Sequence, residues 1–390
     1  MRRGWSFPSG NAKTTCPLVE DTESKSCAST PHAMTSTPYP RSPKFFHKPA
    51  IVGRFFEALS EASSMLRSMF QLIRMIGFGF MSYFMFIRLV LFSVFIWPTI
   101  IPLAIWWSTS KRVLRAVRYG DNPRNFLDVY LPEGHPNSEK LATVIVGVTG
   151  GAWILGNKAW LAGVAKRVCE CDDCIFISVD YRNFPQGSLP DMLVDVSTAL
   201  DWIFASLTSL GGDSAKVQLL GQSAGAHLLA LLLLRHPGRW RVQRFFALSG
   251  PFDLVKLLPR LNARGLNTRM LAAILGGDVF AASPIRGLTQ NLRLPPFRLY
   301  HGTKDVSVPL ESSLEFSRAL NLRGFDCHLT VLHDMTHSEP LLEGPLRGNH
   351  TFADLIVAEI GAVVHAKHNL EKPALWRIFL IKIAQFFMPF

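Results

Sequence analysis

The sequence has few charged residues for its length. Charged side chains make up 18% of the 390 residues, apolar side chains make up 48%, and the mean hydropathy is positive at +0.19. A wholly soluble chain is usually richer in charge, so this balance predicts a membrane segment. The length is sufficient for one large domain with extensions.

Acidic residues are scarce in the first part of the chain. Residues 1–118 hold 15 Lys and Arg but only 5 Asp and Glu. Residues 119–390 hold 26 Lys and Arg and 24 Asp and Glu. The basic excess therefore surrounds the apolar N-terminal region, which favours an anionic membrane surface as its partner. We recognise no motif typical of RNA-binding or DNA-binding proteins, so nucleic acid is not an expected partner.

The six cysteines do not have the spacing of a disulfide framework. Three of them stand in CECDDC at 169–174, which raises the alternative of a metal site. These ligands are too close together for an ordinary zinc site, and no matching Cys or His pair follows. We therefore expect a loop of free thiols, with no metal and no organic cofactor.

The N-terminal region is rich in Ser, Thr, Pro and Lys over residues 1–50. This composition cannot bury a core, so we expect a disordered polar head. A transit peptide is the alternative, but the acidic residues Glu20, Asp21 and Glu23 are unusual for one, and we recognise no signal peptide. Residues 51–74 are expected to form an amphipathic linker.

The segment 75–107 is almost wholly apolar apart from Arg88. Its part Leu89–Trp107 holds 19 residues without a charge, close to the ~20 that cross a bilayer. We predict a transmembrane helix, or a hairpin with Arg88 near its turn, and a buried core helix is the alternative. The apolar tail at 372–390 predicts a membrane-surface helix, with docking on the domain as its alternative.

Residues 119–365 alternate between apolar strands and helical patterns. The strand at 125–132 alternates in polarity like an edge strand, whereas later strands are continuously apolar. This order predicts an α/β fold, a mostly parallel sheet with helices on both faces, and a site at the carboxyl ends of the strands. Residues 253–292 predict amphipathic helix inserted between two strands, as a lid or a long crossover.

A serine stands between a predicted strand and a predicted helix in GQSAG at 221–225. In this context G-x-S-x-G predicts a nucleophile elbow, in which Ser223 has a strained backbone and glycines avoid collisions with the neighbouring strand and helix. The positive end of the helix dipole, at the N-terminus of the helix, would stabilise negative charge that develops at the site. The motif alone is frequent by chance, and an ordinary Gly-rich turn is the alternative.

A nucleophilic serine needs a base and an acid that orients the base. Asp305 and His337 each follow a predicted strand, and the chain order Ser, Asp, His is that of α/β-hydrolases. We therefore expect Ser223, Asp305 and His337 to be catalytic, with Asp253 as the alternative acid and His350 as the alternative base. The other histidines considered are expected to be structural: His227, His301 and His333.

Donors for a tetrahedral oxyanion are expected in TGGAW at 149–153, which resembles the H-G-G-G loop of esterases and lipases. Its departures, Thr149 for His and Ala152 for Gly, remove no backbone donor. The N–H groups of Gly151, Ala152 and Ala224 are expected to bind the oxyanion. The full set expected around the ester is Gly150, Gly151, Ala152, Gln222 and Ala224.

A wider resemblance spans roughly residues 119–365 and rests on five segments. The chain resembles the isoprenylcysteine α-carbonyl methylesterases at these segments: VTGGAWILGNKAW (148–160), DYRNFPQGSLPDM (180–192), GQSAGAHL (221–228), LPPFRLYHGTKDVSVPLESS (294–313) and THSEPLLEGPLRG (336–348). The resemblance implies a membrane-embedded α/β-hydrolase of the endoplasmic reticulum and Golgi. It also implies Ser223, Asp305 and His337 as a triad.

The implied reaction removes the methyl ester from the C-terminal prenylcysteine of prenylated proteins through an acyl-enzyme and releases methanol. Prenylated protein C-termini, prenylcysteine methyl esters and membrane lipid are thus the expected partners. A general carboxylesterase, a lipase or an arylformamidase on the same fold is the nearest alternative. A pseudohydrolase that binds a lipid or protein is another, although the chain retains Ser, Asp and His at all three expected catalytic positions.

Overall fold

The computed structural model describes residues 80–135, 140–171, 173–263, 268–362 and 373–387. The expected polar head and amphipathic linker lie outside these residues. The strands are β1 Val113–Arg118, β2 Phe126–Tyr130, β3 Ala142–Val148, β4 Cys174–Val179, β5 Gly212–Gln222, β6 Arg244–Leu248, β7 Phe297–Gly302 and β8 Cys327–Leu332. The α-helices are α1 Phe80–Thr109, α2 Ala162–Val168, α3 Leu189–Ser206, α4 Ala224–Arg235, α5 Leu254–Ala263, α6 Thr268–Leu275, α7 Leu310–Asn321, α8 Glu343–Leu346, α9 Thr351–Glu359 and α10 Leu375–Phe387.

The described strands form one eight-stranded sheet in the order β1-β2-β4-β3-β5-β6-β7-β8. Strands β3 to β8 pair in parallel, while β1 and β2 pair antiparallel at one edge. Parallel strands covered by helices on both faces are apolar throughout, and Val144, Ile145 and Val146 of β3 are fully buried. The predicted mostly parallel α/β architecture is confirmed.

Strand β2 is not the edge strand that its alternating polarity predicted. It lies between β1 and β4, and β1 begins at Val113, ahead of the domain boundary expected at 119. The polar residue that produces the alternation, Asp128, is fully buried. Its carboxylate accepts hydrogen bonds from Trp107 Nε1 at 3.0 Å and Ala116 N at 2.8 Å. A buried polar group with such partners does not mark a solvent-facing strand.

The described part of the apolar N-terminal segment forms one continuous helix, α1, so the alternative of a hairpin turning near Arg88 is wrong within residues 80–109. Its part Ile87–Thr109 is 23 residues with a mean hydropathy of 2.2, which is long and apolar enough to cross a membrane. Many of its apolar side chains are exposed, whereas a buried core helix would cover them. The exposed ones are Phe84, Ile87, Val90, Val94, Trp97, Ile101 and Ile105.

The C-terminal helix α10 packs against α1 in the antiparallel direction. Arg88 near one end of α1 donates to the carbonyl oxygen of Phe386 at 3.0 Å, and Arg377 donates to that of Thr99 at 3.1 Å. The rings of Phe95 and Phe387 stack with centroids 5.7 Å apart. The tail therefore docks on the N-terminal helix. Its outer side exposes Leu375, Trp376, Phe379 and Phe386.

The cysteines of the CECDDC run are free thiols, as predicted, and they are buried in the core. Cys169, Cys171 and Cys174 are free thiols packed against strand and helix residues, and Cys169 Sγ donates to the carbonyl oxygen of Tyr130 at 3.3 Å. Burial raises the pKa of Cys169 to about 12. Among the described residues, no cluster of His, Cys, Asp and Glu could hold a metal ion.

The insert expected at 253–292 contains α5, α6 and a 3₁₀ turn at Pro284–Gly287, and it joins β6 to β7. Both helices bury an apolar face, through residues such as Leu257 and Leu271. The insert therefore forms a packed crossover that starts after β6 and contacts helices α3 and α4.

Candidate active site

Ser223 lies at the sharp turn between β5 and α4. Its backbone has φ 52° and ψ −120°, a conformation that costs a non-glycine residue roughly 1–3 kcal/mol. The turn is held by its N–H group, which donates to the carbonyl oxygen of Leu248 on β6 at 2.8 Å. This is the nucleophile-elbow geometry that G-x-S-x-G predicts, and it places the serine at the carboxyl end of the central strand.

The two glycines of the motif are required by close backbone approach. A Cβ at Gly221 would lie 2.5 Å from Cα of Ala226, in the first turn of α4. A Cβ at Gly225 would overlap the carbonyl oxygen of Val148 at the end of β3. The helix can therefore start directly above the strand only because both side chains are absent.

Asp305 and His337 are brought together because β7 and β8, the strands that precede them, are parallel neighbours. The Nδ1 atom of His337 lies 2.7 Å from Oδ2 of Asp305. The other carboxylate oxygen, Oδ1, accepts hydrogen bonds from the N–H groups of Ser307 at 2.9 Å and Val308 at 3.0 Å. The carboxylate is therefore held in one orientation, with one oxygen directed at the imidazole.

Asp305 remains ionised although it is buried. Burial by itself raises the pKa of this carboxyl, but the charge of His337 and the hydrogen bonds from His301 and His337 outweigh it. The net result is a pKa well below the usual range of an aspartate. An acid that stays charged beside a histidine can orient its tautomer and stabilise its protonated form.

His301, which the sequence predicts to be structural, is a further neighbour of this carboxylate. Its Nε2 atom lies 3.3 Å from Asp305 Oδ2 and 2.9 Å from the carbonyl oxygen of Val308, and its Nδ1 atom lies 2.8 Å from Ser313 Oγ. The spacing of four residues in HGTKD, at the end of a strand, is the signal that could have indicated this contact.

The loop after β3 is the predicted oxyanion loop, and its backbone has an unusual conformation. Gly151, Ala152 and Trp153 all have positive φ, at 114°, 52° and 63°. Within the described residues, the N–H groups of Gly151, Ala152 and Ala224 have no hydrogen-bond acceptor. Ala224 is the first residue of α4, where the helix itself leaves the N–H groups without partners. These three donors are available to a negatively charged oxygen.

Gly150 and Gln222 differ from the other expected ester-binding residues, because their polar groups bind each other. Gly150 N donates to Gln222 Oε1 at 3.1 Å, and Gln222 Nε2 contacts the carbonyl oxygen of His337 at 3.5 Å. Gly150 also lies against Ser223, since a Cβ there would be 2.5 Å from Cβ of Ser223. Gln222 therefore links the oxyanion loop to the loop that carries the histidine.

The hydrogen bonds of the described residues include none between Ser223 Oγ and His337. The two residues are connected through the bridging side chain of Gln222. Such contacts in enzymes without substrate are often long and tighten only when substrate binds. The structure thus pairs Asp305 with His337, and it connects the His337 loop to the serine elbow through Gln222.

The alternative acid, Asp253, has other partners. Its Oδ1 accepts from the N–H of Lys256 at 3.2 Å in the first turn of α5, and its Oδ2 pairs with Arg286 at 3.4 Å. The alternative base, His350, immediately precedes α9, and burial lowers its pKa. In neither case do the contacts include the Asp305–His337 pair.

His227 connects the oxyanion loop to the insert. Its Nδ1 atom accepts a hydrogen bond from Trp153 Nε1 at 3.3 Å, and its Nε2 atom contacts the carbonyl oxygen of Ala282 at 2.7 Å. Complete burial lowers the pKa of His227 to about 4, so the ring is neutral at physiological pH. Its contacts fit the structural role expected for it, while His333 lies exposed in the turn after β8.

Comparison with known sequences identifies plant enzymes as relatives. The chain is 35% identical to isoprenylcysteine alpha-carbonyl methylesterase ICME of Arabidopsis thaliana, over 77% of this chain and 73% of that relative. It is 33% identical to the probable isoprenylcysteine alpha-carbonyl methylesterase ICME of Oryza sativa subsp. japonica, over 79% and 77%. Esterase LipC of Mycobacterium tuberculosis is 30% identical over 53% of this chain and 54% of the length of LipC.

The sequence model of the BD-FAE family matches residues 127–320. Among solved structures, esterase B from Lactobacillus rhamnosis with a bound phosphonate superposes with a TM-score of 0.57 at 16% identity, covering 70% of this chain and 94% of that one. A truncated carbohydrate esterase from gut microbiota superposes with a TM-score of 0.54 at 17% identity, covering 65% and 97%. These likenesses show the fold, which is that of the α/β-hydrolases, as predicted.

Proposed function

Because this chain belongs to the isoprenylcysteine alpha-carbonyl methylesterase family, we propose that it removes the carboxyl methyl ester from isoprenylcysteine at the C-terminus of prenylated proteins. The chain is a carboxylic ester hydrolase, and its relatives carry the name of the methylesterase reaction. The products of the proposed reaction are the free prenylcysteine carboxylate and methanol.

The observation that carries the proposal is the Asp305–His337 contact, together with the bridge from Gln222, the residue before Ser223, to the carbonyl oxygen of His337. In the proposed mechanism, Ser223 Oγ attacks the ester carbonyl carbon while His337 accepts the hydroxyl proton. The N–H groups of Gly151, Ala152 and Ala224 stabilise the oxyanion that forms.

The proton held on His337 then passes to the methoxide oxygen, so methanol leaves and an acyl-enzyme remains. A water molecule gives a proton to His337 as its oxygen attacks the acyl carbon. The bond to Ser223 Oγ then breaks, His337 returns the proton to the serine oxygen, and the carboxylic acid product leaves and ionises. Asp305 keeps the imidazole oriented throughout. No step in this sequence uses a metal or an organic cofactor.

We further propose that the chain acts at a membrane, at the endoplasmic reticulum or Golgi as the resemblance implies. A prenylated cysteine carries a long apolar chain, so the substrate partitions into lipid. The exposed apolar side of α1, over Ile87–Thr109, and that of α10 support a lipid-facing position. Membrane lipid would then be the shared solvent of the enzyme and its substrate.

The deciding experiment compares membranes that carry the wild-type chain, Ser223→Ala or Ser249→Ala, each incubated with a farnesylcysteine methyl ester while methanol release is measured. Ser249 is a matched control because it is buried at the end of the neighbouring strand β6 and also has φ 52°. We expect release by wild type and Ser249→Ala and none above background by Ser223→Ala.

Cleavage of a short p-nitrophenyl ester by wild type, without methanol release from the prenylcysteine ester, would retain the hydrolase and reject the prenylcysteine substrate. Equal methanol release by Ser223→Ala and wild type would reject the serine mechanism. No hydrolysis of either ester by folded wild-type protein would reject both parts of the proposal.

A further inference from the structure

The loop that carries the proposed base lies directly against the α1–α10 helix pair. After His337 the chain turns back through Leu342 and the short helix α8. Leu346 is buried in one apolar cluster with side chains from both membrane-facing helices, and Leu342 packs against it. The cluster members from the two helices are Phe92, Ile96, Ile381 and Ala384. The position of the His337 loop is thus coupled by packing to α1 and α10.

A chain of polar contacts runs in parallel with this packing. The N–H of Thr336, the residue before the proposed base, donates to Glu339 Oε2 at 3.4 Å. The other oxygen of Glu339 forms an ion pair with Arg347. Arg347 in turn donates through Nη1 to Gln385 Oε1 on α10 at 3.3 Å. One guanidinium therefore joins the base loop to the C-terminal helix.

The geometry of Arg347 favours a positioning role over a general surface ion pair. The side chains of Arg347 and Glu339 are only 20% and 13% exposed, so water competes weakly for their contacts. An arginine can bind a carboxylate and an amide oxygen at the same time with its planar fork of donors, whereas a lysine has a single ammonium group. Loss of Arg347 would leave Glu339 without its cation and the loop without its polar link to α10.

We propose that Arg347 is a positioning residue for His337, through which helix α10 holds the loop of the catalytic base in place. This inference rests on the proposed serine mechanism, but not on the prenylcysteine substrate. It gives the C-terminal helix a role in catalysis besides its contact with lipid. The helix is itself held on α1 by Arg88 and Arg377, so the base loop is supported by the helix pair as a unit.

The test uses full-length protein in lipid vesicles and a short, water-soluble p-nitrophenyl ester. Because this ester has no prenyl group, binding of a prenyl chain cannot affect the measured rate. The variants are Arg347→Met, Arg347→Lys and Gln385→Ala. Lys382→Ala is the control for α10, because Lys382 is exposed on the same helix. Arg323→Met is the control for arginine replacement, because Arg323 is an exposed residue that follows α7.

For Arg347→Met we expect kcat to fall about 10-fold to 100-fold with KM changed less than about 3-fold, as for a displaced catalytic group. Arg347→Lys is expected to recover part of kcat because it keeps the ion pair with Glu339. Gln385→Ala is expected to lower kcat about 2-fold to 10-fold. Both control variants should match wild type in kcat.

An unchanged kcat in folded Arg347→Met would overturn the inference. Should Arg347→Met fail to fold, Gln385→Ala and Arg347→Lys decide the question. If both of these variants have the same kcat as the control Lys382→Ala, the inference is overturned as well. A wild-type protein that cleaves no p-nitrophenyl ester would instead reject the proposed mechanism, so the two failures are distinguishable.

Discussion

Nδ1 of His337 lies 2.7 Å from Oδ2 of Asp305, on the loops that follow two neighbouring parallel strands. Because Oδ1 of the same carboxylate is occupied by two backbone N–H groups, Asp305 can offer only Oδ2 to the imidazole. This contact directs the other ring nitrogen, Nε2, away from the carboxylate. Replacement of Asp305 therefore tests how much this orientation of the imidazole contributes to kcat.

We expect Asp305→Asn to lower kcat for a p-nitrophenyl ester by about 10³-fold to 10⁴-fold, because an amide stabilises the wrong imidazole tautomer and no imidazolium charge. Steady-state kinetics of the purified protein in vesicles measures this. Asp334→Asn is the control, because Asp334 pairs with Lys304 at the exposed surface near the same loops. Equal kinetics for the two variants would contradict the role of Asp305.

Removal of the proposed nucleophile should separate catalysis from membrane binding. We expect Ser223→Ala to lose about 10⁴-fold to 10⁶-fold in kcat and to float with lipid vesicles in a density gradient as wild type does. The reason is that the apolar sides of α1 and α10 do not include the serine. Loss of vesicle binding in this variant would show that anchor and catalytic centre are not independent.

A methyl group at Gly225 should damage the fold. The added Cβ of Gly225→Ala would overlap the carbonyl oxygen of Val148, so either β3 or α4 has to shift. We expect the free energy of unfolding to fall by about 1–3 kcal/mol or more, measured by urea denaturation. Gly287→Ala is the matched control, because its Cβ would only reach ordinary contact with Leu234 at 3.8 Å. A stability equal to that of the control would argue against the close approach.

The bridge formed by Gln222 should support catalysis without binding the ester. In Gln222→Ala the Gly150 N–H and the His337 carbonyl oxygen lose their common partner. We expect kcat to fall about 10-fold to 100-fold with little change in KM, and partial recovery in Gln222→Glu, which keeps the acceptor for Gly150. A large rise in KM with constant kcat would indicate that Gln222 binds substrate instead.

His227 should make stability depend on pH. Its folded-state pKa of about 4 lies below the usual value of 6.5, so the unfolded chain binds a proton first as pH falls. Its neutral form therefore contributes full stability above pH 6.5, and this contribution is lost as pH falls from 6.5 towards 4. The loss at the lower limit is about 3 kcal/mol.

Chemical denaturation of wild type and His227→Gln at a series of pH values tests this. The variant should have lower stability at pH 7 and a smaller decrease between pH 6.5 and 4. His328→Gln, at an exposed position on β8, should retain the wild-type pH dependence. A wild-type decrease that persists in His227→Gln would assign the acid sensitivity to other groups.

Several features could be predicted from the sequence because neighbouring residues determine them. The elbow at Ser223 depends on small residues immediately around a strand–helix junction, so GQSAG contains the necessary information. The parallel sheet follows from continuous apolar strands that alternate with helices. The apolar length of α1 is likewise a local property of the chain. In each case the physical cause lies within a few residues of the feature.

Other features depend on contacts between residues far apart in the chain, which no local pattern records. Strand β1 pairs with β2, and the buried Asp128 accepts a hydrogen bond from Trp107. The alternation of polar and apolar residues along β2 therefore does not mark an edge strand. The bridge from Gln222 to Gly150 and His337 spans three separate segments. The antiparallel packing of α10 on α1 joins the two ends of the described chain. Only the tertiary structure determines these contacts, because long-range packing selects one partner among many chemically equivalent side chains.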